Sequence, residues 1–428
     1  MLRLSDVTTI FRAGSPARFL VVLMVVGVVG ACAGAPGPSP SAPASEGAQS
    51  SAPAGGPSPS PIAPSPGPVE ATPTPVTSAA QSCAETTLAD MTEAQRIGQL
   101  FNVGLDKDRL DAASRDMIVA NHLGSVWYRA KTAIGVAGVR KVADAVQKLA
   151  TREATDGVHF FVAANQEGGL IQALAGPGFD TIPSAVDQGK VPPADLQARA
   201  TRWGQQLLAA GVNMDFAPVA DVVPPGTDAQ NAPIGQLERE YGHDPTTVAA
   251  HVGAFIHGMR AAGVATTAKH FPGLGRVEGN TDFTSQVVDT VTTSDDPYLK
   301  PFARAATVHV PFVMVSLATY DRMDPDHLAA FSNTIIETML RQVLGYGGVV
   351  ISDSLTADAV SDISPGTRAI DFIEAGGDMI VLGPIDVAVP MAQAVAARAE
   401  TDAAFRARVD QSALRILSAK EAAGLLPC

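Results

Sequence analysis

Short apolar segments recur eight times along this chain, with helical patterns between many of them, and that alternation limits the fold more than any other feature. The segments run over 100–103, 124–128, 159–164, 214–220, 264–270, 312–317, 348–353 and 378–382. Between the second and third, Val139, Val142, Val146 and Leu149 share one face of a helical repeat, and 194–210 and 246–262 also suit helices. Thr92-Glu93-Ala94-Gln95 has the pattern of a capping box and predicts a short opening helix. After 382, the stretches 387–400 and 403–421 read as helices that complete an outer layer. Strand-helix alternation predicts an α/β fold with a parallel sheet. Eight units over about 340 residues predict one closed (β/α)8 barrel of the TIM type, with its chemistry at the C-terminal strand ends. An open doubly wound sheet is the alternative, but no GxGxxG follows the first strand, so a dinucleotide site has no support.

The 428 residues are 46% hydrophobic and 17% charged, enough to bury a large core. A formal net charge of -13 opposes nucleic-acid binding, which needs a basic face to neutralise phosphates. Arg3, Arg12 and Arg18 precede an apolar run over 19–29 that is too short for a membrane span and reads as a signal peptide covering 1–31. Val29-Gly30-Ala31-Cys32 resembles a bacterial lipobox, of the type on actinobacterial lipoproteins, with Cys32 as the lipid attachment site. The expectation is an exported protein held to the outer face of the cell membrane by lipid alone, facing the cell wall. Residues 32–82 are rich in Pro, Ser, Ala and Gly, a composition that cannot offset the entropy of ordering, and read as a tether before a folded domain at 83–428. The remaining two cysteines, Cys83 and Cys428, bracket that domain, and export favours a disulfide between them over two free thiols.

Four of the apolar segments end in ionisable or amide side chains. The segment 264–270 carries Lys269 and His270 into a Pro-Gly turn as KHFPGLG, and 159–164 runs into Asn165-Gln166-Glu167-Gly168-Gly169. The segment 348–351 runs into Ser352-Asp353-Ser354-Leu355, and 214–220 includes Asp215 and ends at Asp221. Together these resemble glycoside hydrolase family 3, in its single-domain β-N-acetylglucosaminidase branch. The family patterns DQEGG, PVxDV, IGxRSF, KHFPGHG and SDxL have the counterparts NQEGG, PVADV, IGQLEREYG, KHFPGLG and SDSL, in the same order across 87–426.

The resemblance implies a retaining glycosidase with Asp353 as nucleophile, the carboxylate that attacks the anomeric carbon and later leaves. It implies that Lys269 and His270 donate hydrogen bonds to sugar hydroxyls, and that Arg239 reaches the same sugar, with a surface ion pair to Glu238 or Glu240 as the alternative. Asn165 stands where the family has Asp, keeping an acceptor but losing a charge. Glu167 reads as structural. Leu170 and Ala173 replace arginines of the family pattern, and the loop that ends in Asp-Ser-His in the family has no histidine here. An ungapped match puts Asp282 on that histidine, whereas a two-residue insertion puts Thr284 there. Asp282 is the candidate acid/base and Glu278 the second choice. The histidines form no HExxH, His251 and His257 being six apart, and no GxSxG is present, so neither a metal nor a serine nucleophile is expected. No cofactor is expected. The reading is an exo-acting β-N-acetylglucosaminidase for cell-wall amino-sugar glycans or muropeptide fragments, against a sugar-binding lipoprotein on a decayed barrel or a β-glucosidase.

Overall fold

The computed structural model describes residues 81–106 and 109–428; the expected signal peptide, the lipobox with Cys32 and nearly all of the tether lie outside them. Among the described residues, all eight predicted segments become neighbouring parallel strands. They are β1 Phe101–Leu105, β2 Ser125–Tyr128, β3 Phe161–Ala164, β4 Met214–Asp215, β5 Ala265–Phe271, β6 Phe312–Val315, β7 Val349–Ser352 and β8 Ile380–Leu382. From β1 to β7 each pairs with the next, with a register shift between Ala268 and Phe271 where β5 meets β6, and β1 pairs with β8 through Phe101↔Ile380, Asn102↔Val381 and Val103↔Leu382. The last seam is narrow. There the bridge Ile351↔Met379 and the bond from Ser352 N to Met379 O, 3.0 Å, join β7 to the approach to β8 and close the barrel.

Parallel strands with helices outside and packed side chains inside are covered on both faces, so they read as unbroken apolar runs. Val103, Phe161, Val162, Met214, Phe312 and Ile351 are fully or almost fully buried. The segment 214–220 differs from its expected length. Only Met214 and Asp215 keep the regular ladder, because Pro218 has no N–H to donate, and the chain beyond runs on beside β5 through irregular bonds such as Lys269 N to Pro218 O at 3.2 Å. It stays attached to β5 through Ala220 N to Lys269 O at 2.6 Å and ends at Asp221.

Helices Pro193–Ala209 and Pro245–Ala261 each begin with proline, where the missing N–H costs nothing. Asp244 caps the second by accepting from Thr247 N at 2.8 Å. The two pack closely at Gly258, where a Cβ would lie 2.4 Å from Gln197 O, so any side chain there would force the helices apart. The capping box at Thr92 is present on helix Glu93–Gln99, whereas helix Gly135–Gln147 ends before Leu149. No helix among the described residues is long and apolar enough to cross a membrane.

The ends of the domain meet. Helix Cys83–Asp90 lies on the last helix, Ala403–Ala422, with Glu421 accepting from Cys83 N and Ala84 N at 3.2 Å each. Ala84, Met91, Val158 and Leu417 form a small apolar cluster beneath this contact. Cys83 and Cys428 are joined by a disulfide with their Cα atoms 6.1 Å apart. Because the bridge closes a very long loop, replacing both cysteines by serine should lower the unfolding free energy by about 2–4 kcal/mol. Urea unfolding of the oxidised protein and the double variant measures this, and equal midpoints would show that the bridge contributes nothing.

Candidate active site

Three consecutive strand-loop units deliver one buried ionic cluster to the C-terminal end of the barrel. Glu167 follows β3, Arg239 comes from the long connection after β4, and Lys269 lies within β5. Arg239 grips Glu167 with two donors, Nε to Oε2 and Nη2 to Oε1, both at 2.8 Å. Lys269 Nζ lies 2.5 Å from Glu167 Oε1 and donates to Asn165 Oδ1 at 2.7 Å. The Glu167 and Lys269 side chains are only 4% and 2% exposed. Burial alone would raise the Glu167 pKa, but Arg239 and Lys269 overcome it and hold the carboxyl at about 2. Burial opposes the Arg239 charge, yet Glu167, with Asp221 and Asp353 behind it, raises its pKa. The acidic neighbours Glu238 and Glu240 do not pair with Arg239, whose guanidinium reaches across to β3 instead.

His270 is held from behind. Its Nδ1 lies 2.7 Å from Asp221 Oδ2, while Asp221 Oδ1 accepts from His270 N at 3.2 Å and Leu274 N at 2.7 Å. Arg239 Nη2 lies 3.4 Å from His270 Nε2, and since a guanidinium only donates, Nε2 is the acceptor of that long contact. Both ring nitrogens therefore face protein groups, and His270 orients Arg239 in this arrangement. Lys269 has one ammonium hydrogen left after Glu167 and Asn165. Asn165 has given its carbonyl oxygen to Lys269, so its amide nitrogen is the group without a protein partner. The expected acceptor is thus partly used, and a donor is what Asn165 has to spare.

Asp353 directly follows β7; its N donates to Val315 O at 2.9 Å, and its Oδ1 accepts from Ser354 N at 2.8 Å. Asp282 comes from the loop after β5. That loop is stitched to the segment following Asp353, with Asp358 N donating to Asp282 O at 3.3 Å and Ala359 N to Thr281 O at 3.1 Å. One side of Asp282 is open to solvent, but the protein packed around its carboxyl raises its pKa, and the Asp353 charge adds to this. Arg239, His270 and Lys269 pull the other way.

Asn165, Arg239, Lys269, His270, Asp282 and Asp353 all line one cavity of about 110 Å³, walled by Trp127, Phe216, Met314 and Val381. Trp127 meets Phe216 edge-on at 5.8 Å and donates from Nε1 to Leu382 O at 2.9 Å. Glu278, Leu170 and Ala173 do not line it. Two participants escaped the sequence reading. Trp127 was visible as an aromatic at the end of the second apolar segment. Asn231 carried no local signal, yet its Nδ2 donates to Leu274 O and Val277 O at 2.7 Å, and its Oδ1 accepts from Ile234 N and Gly235 N. It thereby ties the Arg239 loop to the loop that leads to Asp282.

Buried Asp215 at the end of β4 lies beneath this cluster, and burial raises its carboxyl to about 7 while Gln166 N donates to it at 3.0 Å. Replacing Glu167 by Gln would leave Lys269 and Arg239 buried without a counter-charge, a loss of about 3–5 kcal/mol. The pH dependence has a defined sign. The folded pKa of Glu167, about 2, is below its ordinary 4.5, so its stabilisation is present above pH 4.5 and lost as pH falls toward 2. Acid unfolding followed by circular dichroism should be steeper over that window in the parent protein than in Glu167→Gln; parallel curves would contradict the assignment.

Comparison with known proteins agrees with this geometry. The family model described as "Glycosyl hydrolase family 3 N terminal domain" matches residues 92–419. A beta-hexosaminidase of Xylella fastidiosa (strain M12) is 31% identical over 262 residues, covering 59% of this chain and 76% of that protein. A beta-N-acetylglucosaminidase/beta-glucosidase of Cellulomonas fimi is 31% identical over 314 residues, 69% of this chain, and the chain spans about half, 52%, of that relative's length. The crystal structure of a beta-N-acetylhexosaminidase from Beutenbergia cavernae DSM 12333 superimposes with a TM-score of 0.77 at 47% identity, covering 78% of this chain and 99% of that one. The barrel, the strand-end side chains and these matches together make the chain a member of glycoside hydrolase family 3.

Proposed function

We propose that this protein hydrolyses β-linked N-acetylglucosaminides with retention of configuration, taking one sugar at a time from the non-reducing end. The observation that carries the reading is the pairing of Asp353 with Asp282, a carboxyl of raised pKa, across a cavity whose floor offers Lys269, Arg239 and Asn165 to a sugar. Asp353 attacks the anomeric carbon and forms a glycosyl ester. Asp282, protonated, gives its proton to the departing glycosidic oxygen. In the second step Asp282 takes a proton from water, the water oxygen attacks the anomeric carbon, and the Asp353 carboxylate is released. Two carboxyls divide these roles when their surroundings hold one protonated and leave the other charged.

The named activities of the Xylella, Cellulomonas and Beutenbergia relatives support the choice of an amino sugar. The Cellulomonas relative also favours a second reading, a β-glucosidase, and comparing an aryl N-acetylglucosaminide with an aryl glucoside separates the two. The lipobox-like motif at Cys32 and the Pro-rich leader support an anchored enzyme that meets cell-wall glycans or their muropeptide fragments. Binding of the sugar without turnover of either substrate would favour the binding-lipoprotein alternative.

Asp353→Ala should abolish turnover with the fold retained, and a 2-fluoro sugar inactivator should label Asp353 in the parent protein. Mass spectrometry that found the label elsewhere would exclude Asp353 as nucleophile. Asp282→Ala should nearly stop cleavage of glycosides with alcohol leaving groups but spare formation of the glycosyl-enzyme from aryl glycosides with acidic phenols. Azide should then speed its breakdown by replacing water that has lost its general base. Equal losses on both substrate types would shift the role to Glu278. Because Asp282 must be protonated to act as acid, kcat should fall as pH rises through its raised pKa.

A further inference from the structure

The connection between β4 and helix Pro245–Ala261 carries Arg239 into the cavity, and a pair of acids sits inside it. Glu240, the residue after Arg239, is 2% exposed, and its Oε2 meets no hydrogen-bond donor. Asp228, earlier in the same connection, keeps 39% of its side chain exposed, but its Oδ1 is shielded from solvent and also without a donor, and the two carboxyls lie within hydrogen-bonding reach of each other. Asp228 also packs under Gly235, where a Cβ would come 2.7 Å from its Cα.

The other charged groups nearby do not satisfy these oxygens. His243 Nδ1 stands 3.7 Å from Asp228 Oδ1 but lies 3.0 Å from Val223 O, which can only accept, so the Nδ1 hydrogen is directed there. The Arg239 guanidinium is committed to Glu167 and Pro233 O. Two ionised carboxylates whose facing oxygens are shielded from water repel, and the arrangement is relieved by one proton held between them. In agreement, burial raises the Glu240 pKa to about 7, with the Asp228 charge acting in the same direction.

We infer that Glu240 and Asp228 share one proton, and that this proton latches the connection in the form that places Arg239 in the sugar-binding cavity. Both are positioning residues, since neither lines the cavity. When the proton leaves, the Glu240 charge has no donor and must find water, which a side chain 2% exposed reaches only if the connection loosens, whereas Asp228 already meets solvent. The sign follows from a folded pKa of about 7 above the ordinary 4.5: the latch is fully stabilising below pH 4.5 and weakens as pH climbs toward 7. Arg239 would then lose its fixed approach to Glu167, so sugar binding falls while Asp353 is untouched.

The test is a carbon-13 carboxyl titration of Glu240 in the intact protein and in Asp228→Asn, joined to KM and kcat against pH for an aryl N-acetylglucosaminide. Glu240 should titrate well above 4.5 in the parent and move back toward an ordinary glutamate in Asp228→Asn. KM should rise several-fold between about pH 5 and pH 8 in the parent and stay flat in Glu240→Gln, whose amide supplies the donor permanently, while kcat keeps the limb set by Asp282. Glu240 titrating near 4.5, or the same KM profile in parent and Glu240→Gln, would overturn the latch. A Glu240 shift that appears only on adding calcium would also overturn it, in favour of a bound cation. The titration decides the matter even if the aryl glycoside is not turned over.

Discussion

The buried carboxylate of Glu167 is the interaction on which the rest of the site depends. Lys269 and Arg239 could not both stand at the barrel mouth with their charges largely out of water unless an anion met them, because an unpaired buried charge costs several kcal/mol. Glu167 answers both with contacts at 2.5 Å and 2.8 Å. Its value is geometric as much as energetic. By gripping one side chain from β5 and another from the connection after β4, it fixes the relative position of three strand-loop units around one sugar-sized space.

A second layer of bonds turns separate loops into a continuous rim. Asn231 joins the Arg239 connection to the turn at Leu274 and Val277, Ala232 N reaches Glu278 O at 3.2 Å, and the Thr281-Asp282 backbone is bonded to Asp358 and Ala359. The rim therefore links the candidate acid to the candidate nucleophile through main-chain contacts, which hold a reacting pair better than side chains on independent loops. A histidine on a mobile loop is one way to supply a proton donor. In the proposed mechanism a carboxyl on a stitched loop takes that place, and burial with the neighbouring Asp353 charge favours its protonated form.

The site is also organised by unequal surroundings for like groups. Glu167 lies between two cations and is held at about 2, whereas Asp282 faces another carboxylate and is raised, and Glu240 is raised to about 7 beside Asp228. Identical chemistry is thereby set apart as counter-ion, candidate acid and proposed latch according to its surroundings. Burial raises all three and is the leading cause at Asp282 and Glu240, and only the two cations beside Glu167 reverse it.

Alternating strand and helix patterns, together with strand ends at Asn165, Lys269 and Asp353, were legible in the sequence, because periodicity and apolar runs are local properties and a barrel arranges its strands in chain order. The motif order placed the nucleophile and clamp candidates for the same reason. What the linear chain could not show was partnership. That Arg239 ignores Glu238 and Glu240 for Glu167, that Lys269 consumes the carbonyl of Asn165, that His270 faces Asp221 and Arg239, and that Asn231 binds two loops are all facts about side chains brought together from distant positions. The shortened fourth strand belongs with them, since Pro218 marked a break in the ladder but not that the chain beyond it would stay bonded beside β5. Tertiary structure decided these points because hydrogen-bond choice depends on distance and burial, and neither exists until the strands have closed.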